Sequence, residues 1–167
     1  MIGFFVPVIF PMELIKPTPE HIRTIMEWVK PPKIFNIWAG PGFRYPYDQK
    51  SFTEDLQLDK LHSRVLIDGS KLVAFGQVYD RLGHTHLGRL VVNPDNQGQG
   101  IGKELIQQLM ALGDQCLDTS GYSLFVLAEN QRAKHLYEKL GFVIKEYPEM
   151  IPMANCYYMV KDNAQSL

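Results

Sequence analysis

The segment from Val91 to Gly102 is the strongest constraint on what this chain can fold into. Leu90-Val91-Val92 reads as the end of an apolar strand, and Ile101, Leu105, Leu109 and Leu112 recur at helical spacing. The stretch Asn93-Pro94-Asp95-Asn96-Gln97-Gly98-Gln99-Gly100 must therefore turn a strand into a helix. Glycines at the alternate positions Gly98, Gly100 and Gly102 let backbone come close to an anion. The unpaired N–H groups and dipole of the following helix favour negative charge at the same place. The junction thus predicts a phosphate-binding loop.

Spacing separates the common loops of this kind. A dinucleotide fingerprint requires Gly-x-Gly-x-x-Gly, but the third position holds Lys103 when counted from Gly98 and Leu105 when counted from Gly100. A nucleotide P-loop requires a Gly where Gln97 stands and a hydroxyl after Gly102-Lys103, where the chain has Glu104. What remains, Gln97-x-x-Gly100-x-Gly102 after a strand ending Leu-Val-Val-Asn-Pro, resembles the acetyl-CoA loop of the GNAT superfamily of N-acetyltransferases. A second block extends the resemblance. Leu124-Phe125-Val126-Leu127-Ala128-Glu129-Asn130, the helix that follows and Tyr137-x-x-x-Gly141-Phe142 are similar to the family's strand, Asn-capped helix and Tyr-x-x-x-Gly-Phe ending. The two blocks carry the resemblance over residues 63–146.

The resemblance implies an α/β (α+β) fold, a bent, mostly antiparallel mixed sheet with helices on both faces, in a single domain over 1–167. Leu90, Val91 and Val92 would offer backbone groups to a pantetheine arm and an acetyl carbonyl, where the strand splays from its neighbour. Gln97, Gly98, Gln99, Gly100, Ile101, Gly102 and Lys103 would hold the pyrophosphate of acetyl-CoA. Asn130 would lie against the pantetheine amides, beside Ala133. Tyr137 would protonate the departing thiolate. Read without the family, Asn130 is a helix N-cap, and Tyr137 belongs with Ala133, Leu136 and Leu140 to one helix face that could be simply core.

The proton acceptor for an attacking amine is less evident. His86 is the candidate base: strand alternation places 86, 88, 90 and 92 on one face, and its unperturbed pKa of ~6.5 is serviceable. Some family members carry Glu at the matching position. His84 shares the face, so a water relay or a polar lining are rival readings. In the family's ribosomal-protein branch a Glu matches Phe125, so that mechanism is not implied here. A zinc site from His84, His86 and Cys116 has no recognisable ligand spacing, and direct amine attack needs no cysteine nucleophile.

Composition narrows the partners. The chain has 167 residues, 46% of them hydrophobic, and a formal net charge of −1, with no cluster of Lys and Arg to neutralise nucleic-acid phosphates. Cys116 and Cys156 suit free thiols in a reducing cytoplasm rather than a disulfide scaffold. Residues 1–11 are apolar but contain Pro7 and Pro11, lack a basic start and are too short to cross a bilayer, so no membrane role is expected. They read as an N-terminal extension, with translation from Met12 as an alternative and Met12–Pro17 as a first strand.

Further along, Thr18 caps a helix that should end at Pro31-Pro32, and 33–50 reads as irregular, with Trp38, Phe43, Tyr45 and Tyr47 as packing residues in a region that the resemblance implies forms much of the acceptor wall. A short helix follows from Asp48 to Leu58. Arg64–Ile67 and Lys71–Val78 flank Asp68-Gly69 as a hairpin, and Thr85–Val92 completes a meander. Asn155–Val160 reads as the last strand, in contact with the acceptor or a second subunit, so a homodimer is among the expectations. The function expected is acetyl transfer to a primary amine on a small molecule or peptide, with no metal. A non-catalytic acyl-CoA sensor is the alternative. Near-neutral charge leaves the acceptor open among antibiotics, polyamines, amino acids and proteins.

Overall fold

A computed structural model describes residues 11–163, so all but the last residue of the expected 1–11 extension lies outside the described residues. In chain order the elements are β1 (Glu13–Ile15), α1 (Pro19–Trp28), α2 (Pro32–Ala39), α3 (Gln49–Leu56), β2 (His62–Asp68), β3 (Lys71–Arg81) and β4 (His84–Val92). A 3-10 turn at Pro94–Asn96 leads into α4 (Ile101–Cys116), β5 (Gly121–Leu127), α5 (Gln131–Lys139), β6 (Val143–Lys145) and β7 (Cys156–Asp162). The strands form one sheet in the order β1-β2-β3-β4-β5-β7-β6, in which only the β4–β5 pair is parallel. No helix among the described residues is long and apolar enough to cross a membrane.

Local signals account for most boundaries. Thr18 accepts a bond from the His21 N–H at 3.2 Å, and Pro19 occupies the first helical position, where a missing N–H costs nothing. Gly69 takes φ 63° and turns β2 into β3. The irregular stretch expected over 33–50 is a correction: 32–39 is α2. The Pro32 that should have closed the previous helix instead opens a new one, and α1 ends earlier, at Trp28. Burial of Phe35 and Ala39 stabilises it, and burying a large apolar side chain is worth ~1.5–3 kcal/mol.

Two cores lie on opposite faces of the sheet. On one, α4 and α5 cover Leu66, Ala74, Val78, Leu87, Leu105, Leu109 and Phe142. On the other, α1, α2 and α3 cover Val65 and Phe75 with Ile25, Phe35 and Phe52. Glycines set how closely α4 approaches: a Cβ on Gly113 would collide with Thr85, and one on Gly76 would lie 2.6 Å from Leu109 Cδ1.

The sheet is irregular where the function was expected. Gln77 pairs with Gly88 and Phe75 with Val91, so Gly76 faces two residues of β4, Arg89 and Leu90. This bulge corrects the expected alternation. Arg89 adopts φ 49° and bonds toward α2, while Leu90 packs into the α4 core. His86 and Leu90 therefore point to opposite faces. On its other side, β4 pairs with β5 only through Thr85–Tyr122 and His86–Ser123, whereas β5 pairs with β7 along its whole length. β4 and β5 thus form a fork. The last strand, β7, lies inside the sheet between β5 and β6.

Candidate active site

Two cavities meet at the fork, of about 560 and 280 Å³, and Trp38, Leu90, Asn130 and Tyr137 line both. The larger runs along the start of α4 and α5. Its wall includes Leu90, Val91, Val92, Gln97, Gly98, Gly100, Ile101, Gly102, Lys103, Asn130 and Ala133, which brings nearly all the expected cofactor residues together. Gln99 is the exception. It is exposed, outside the lining, and accepts a bond from Asn96 Nδ2 at 3.2 Å.

The loop has the properties an anion requires. Gly98 and Gly100 sit at φ 81° and 77°, in the left-handed region that a side chain disfavours. Gly100 is the residue before α4, and no side chain caps that helix, so its first N–H groups are left without a capping partner. Lys103 supplies one positive charge. Arg132 supplies another, its Nη2 lying 3.3 Å from where a Cβ of Gly98 would stand. Arg132 was not legible in the sequence, because only the packing of α5 beside the loop brings it there. Asn93 ties the loop down, donating through Nδ2 to Leu72 O at 3.1 Å and accepting from the Asp95 N–H at 3.0 Å. Asn130 caps α5 by accepting from the Ala133 N–H at 3.2 Å, which leaves its Nδ2 donor uncommitted among the described residues.

Tyr137 lies on α5 with its ring edge-on to Phe142, 6.2 Å between centroids. Burial pushes its phenol up to about 12, because the tyrosinate would lose solvation. It carries its proton throughout the physiological range.

The smaller cavity lies on the α2 side of the fork. His86 belongs to its wall but is 2% exposed, with Nδ1 2.8 Å from Ser123 Oγ and its ring between Tyr79 and Phe125 at 5.3 and 4.9 Å. Burial, and secondly the positive charge of Arg81, lower its pKa to about 3, so the imidazole is neutral at pH 7. His84 turns away to Asp162, 3.1 Å from Nε2. Trp38 Nε1 donates to Arg89 O at 2.8 Å, which fastens α2 to the bulge. The expected aromatic wall exists as a packed cluster, with Trp38 stacked on Phe52 at 5.7 Å and Phe43 edge-on to both.

Comparison with known proteins decides the lineage. A model of the acetyltransferase (GNAT) family matches residues 23–142, well over half of the chain. The chain belongs to the GNAT family. Among curated relatives, the L-amino acid N-acyltransferase MnaT of Escherichia coli is 32% identical over 68 residues, covering 40% of this chain and 38% of the relative. The spermidine N(1)-acetyltransferase of Vibrio cholerae is 27% identical over 118 residues, covering 66% of each. The GNAT chain thus spans between about two fifths and two thirds of these relatives' lengths. The PaiA N-acetyltransferase of Thermoplasma acidophilum, solved in complex with coenzyme A, superposes with a TM-score of 0.69 at 18% identity, over 92% of this chain and all of that one. The fold is shared.

Proposed function

We propose that this GNAT chain moves an acetyl group from acetyl-CoA to a primary amine by direct attack within a ternary complex. One observation carries the reading: a protonated phenol, Tyr137, stands where a glycine-lined anion loop and a second cavity meet in the β4–β5 fork. The Escherichia coli and Vibrio cholerae relatives are named as an N-acyltransferase and an N-acetyltransferase, and the coenzyme A complex of the Thermoplasma protein supports the choice of donor.

Acetyl-CoA supplies a thioester, an acyl carbon activated toward amines. The residues present suit it: Gln97, Gly98, Gly100, Ile101, Gly102 and Lys103 would hold pyrophosphate, with charge added by Lys103 and Arg132. Leu90, Val91 and Val92 would present backbone along the pantetheine arm, and Asn130 Nδ2 would donate to its amides. Holding both reactants in one fork supplies proximity. Tyr137 Oη donates a hydrogen bond as negative charge develops on the leaving sulfur. A phenol near 12 does not fully protonate a free thiolate of pKa ~8.5, so its contribution is a hydrogen bond to the charge that develops.

In this reading His86 is a positioning residue rather than the base. Its imidazole is enclosed, bonded to Ser123 and disfavoured as a cation, so the amine's proton leaves to solvent through the open cavity. We read the protein as cytoplasmic on the strength of its free Cys116 and Cys156.

The test is release of CoA thiol from acetyl-CoA across amines, amino acids and peptides. Turnover with one acceptor class, with kcat reduced at least ~10-fold in Tyr137→Phe, is the expected result. Saturable acetyl-CoA binding without release for any acceptor would sink the enzyme reading and leave a sensor.

A further inference from the structure

The acceptor side of the fork has an unusual charge balance. Its only charged side chains among the described residues are two arginines, Arg81 and Arg89, and no Asp or Glu lines it. Neither arginine is in an ion pair with a described carboxylate. Arg81 lies over the rings of Tyr79 and Phe125 at 5.6 and 5.2 Å, donates to the Tyr147 and Tyr79 hydroxyls at 3.0 and 3.3 Å, and keeps a buried Nε with no partner among the described residues. Arg89 donates to Ala39 O and Gln77 Oε1 and lies 4.8 Å over Phe43. The acid whose charge acts on it, Asp55, is itself held by Arg44. His86, between these groups, is neutral.

Guanidinium groups stay charged when enclosed, and leaving two in one cavity without a counter-ion is costly. Such an arrangement persists where an anion arrives to complete it. The same field repels a polycation: a spermidine-like acceptor requires carboxylates at its remote ammonium groups, and this wall has none.

We infer that the acceptor amine carries an oxyanion, which Arg81 and Arg89 bind while the amine faces the fork. At about 280 Å³ the cavity falls just below the ~300–1,000 Å³ of pockets for drug-sized ligands, so the acceptor is small. Ile37, Trp38, Phe125 and Met153 add apolar surface to its wall. A carboxylate and an amine on one compact, partly apolar molecule describe an α-amino acid.

This inference rests on the acetyltransferase reading for its catalytic readout but not for its binding readout. In CoA release, L-phenylalanine should exceed L-phenylalaninamide, and 2-aminoethyl phosphate against ethanolamine separates phosphate from carboxylate as the preferred oxyanion. A kcat/KM for the acid at least ~10-fold above that for its amide, narrowed in Arg81→Gln through a raised KM, is expected, since hydrogen bonds to charged groups are worth ~1.5–3 kcal/mol. Arg81→Lys should restore part of the preference. Turnover of spermidine or the amides as efficient as that of the acids would overturn the inference and leave acetyl transfer standing. If no acceptor turns over, calorimetry with 3-phenylpropionate and its amide decides: saturable binding of the acid alone, weakened in Arg81→Gln, supports the oxyanion site, and no binding overturns it.

Discussion

Tyr137 and His86 show one physical cause with opposite consequences. Burial penalises the charged form of each, with the charge of Arg81 adding to the effect at His86, so the phenol keeps its proton, near 12, and the imidazole sheds its own, near 3. Both residues were singled out from the sequence, but the sequence carries no measure of their solvation, and an unperturbed histidine looked serviceable as a base. The depressed imidazole has a stability consequence. An unfolded histidine titrates near ~6.5, so between pH ~6.5 and about 3 the unfolded chain binds a proton that the native state refuses. The contribution of neutral His86 is complete above ~6.5 and is lost as pH falls through that window. Urea midpoints measured from pH 7.5 to 4.5 should decline less steeply for His86→Gln than for the unaltered protein. Parallel declines would show that His86 is solvated in solution.

At the scale of elements, closeness between helix and sheet is set by small residues rather than by helix preference. Gly113 lies in the interior of α4, where Ala would ordinarily stabilise a helix by about 1 kcal/mol. Here its missing Cβ leaves room for the fully buried Thr85 of β4, whose Oγ1 is shared with Thr119 at 2.7 Å. Thr85 is β-branched and stiff, so it cannot swing away. Gly113→Ala should destabilise by ~1–3 kcal/mol despite the better propensity, and Thr85→Ser, which removes the crowding methyl, should recover part of the loss in a double-mutant cycle. Strict additivity in denaturant unfolding would refute that coupling. A similar balance explains α2. Its Pro-rich start and the glycines after it look irregular, and it is helical because Phe35 and Ala39 reach the core and Trp38 grips the bulge at Arg89.

For the whole molecule, the fork is a place where the sheet gives up pairing and leaves cavities between its strands. Main-chain groups of β4 and β5 beyond His86 and Ser123 leave each other, and the structure is held open by a separate core on each face. Filling the fork should therefore stabilise the protein as a unit. Acetyl-CoA at one hundred times its Kd adds ~2.7 kcal/mol to a native state that alone binds it, which is a rise of ~5–10 °C in Tm for a chain of this size. Gly100→Val, which forces a branched residue into a left-handed conformation at the loop, should abolish most of that rise. An undiminished rise in the variant would place the donor elsewhere.

The sequence by itself determined what short-range chemistry decides. The strand–glycine–helix junction, the Asp68-Gly69 hairpin, the Asn130 cap and the long apolar face of α4 each depend on residues within a few positions of one another, and each is present in the structure. What only the tertiary structure decided depends on distant neighbours. The bulge opposite Gly76 reverses the facing of Leu90, and a one-residue slip in a period of two is invisible without the partner strand. The placement of Arg132 beside Gly98, and the meeting of Arg81 with Arg89 in a cavity that no Asp or Glu among the described residues lines, join residues far apart in the chain. Charge that totals −1 over the whole sequence is sorted by the fold so that two arginines share the wall of the smaller cavity, because electrostatics acts through space rather than along the chain.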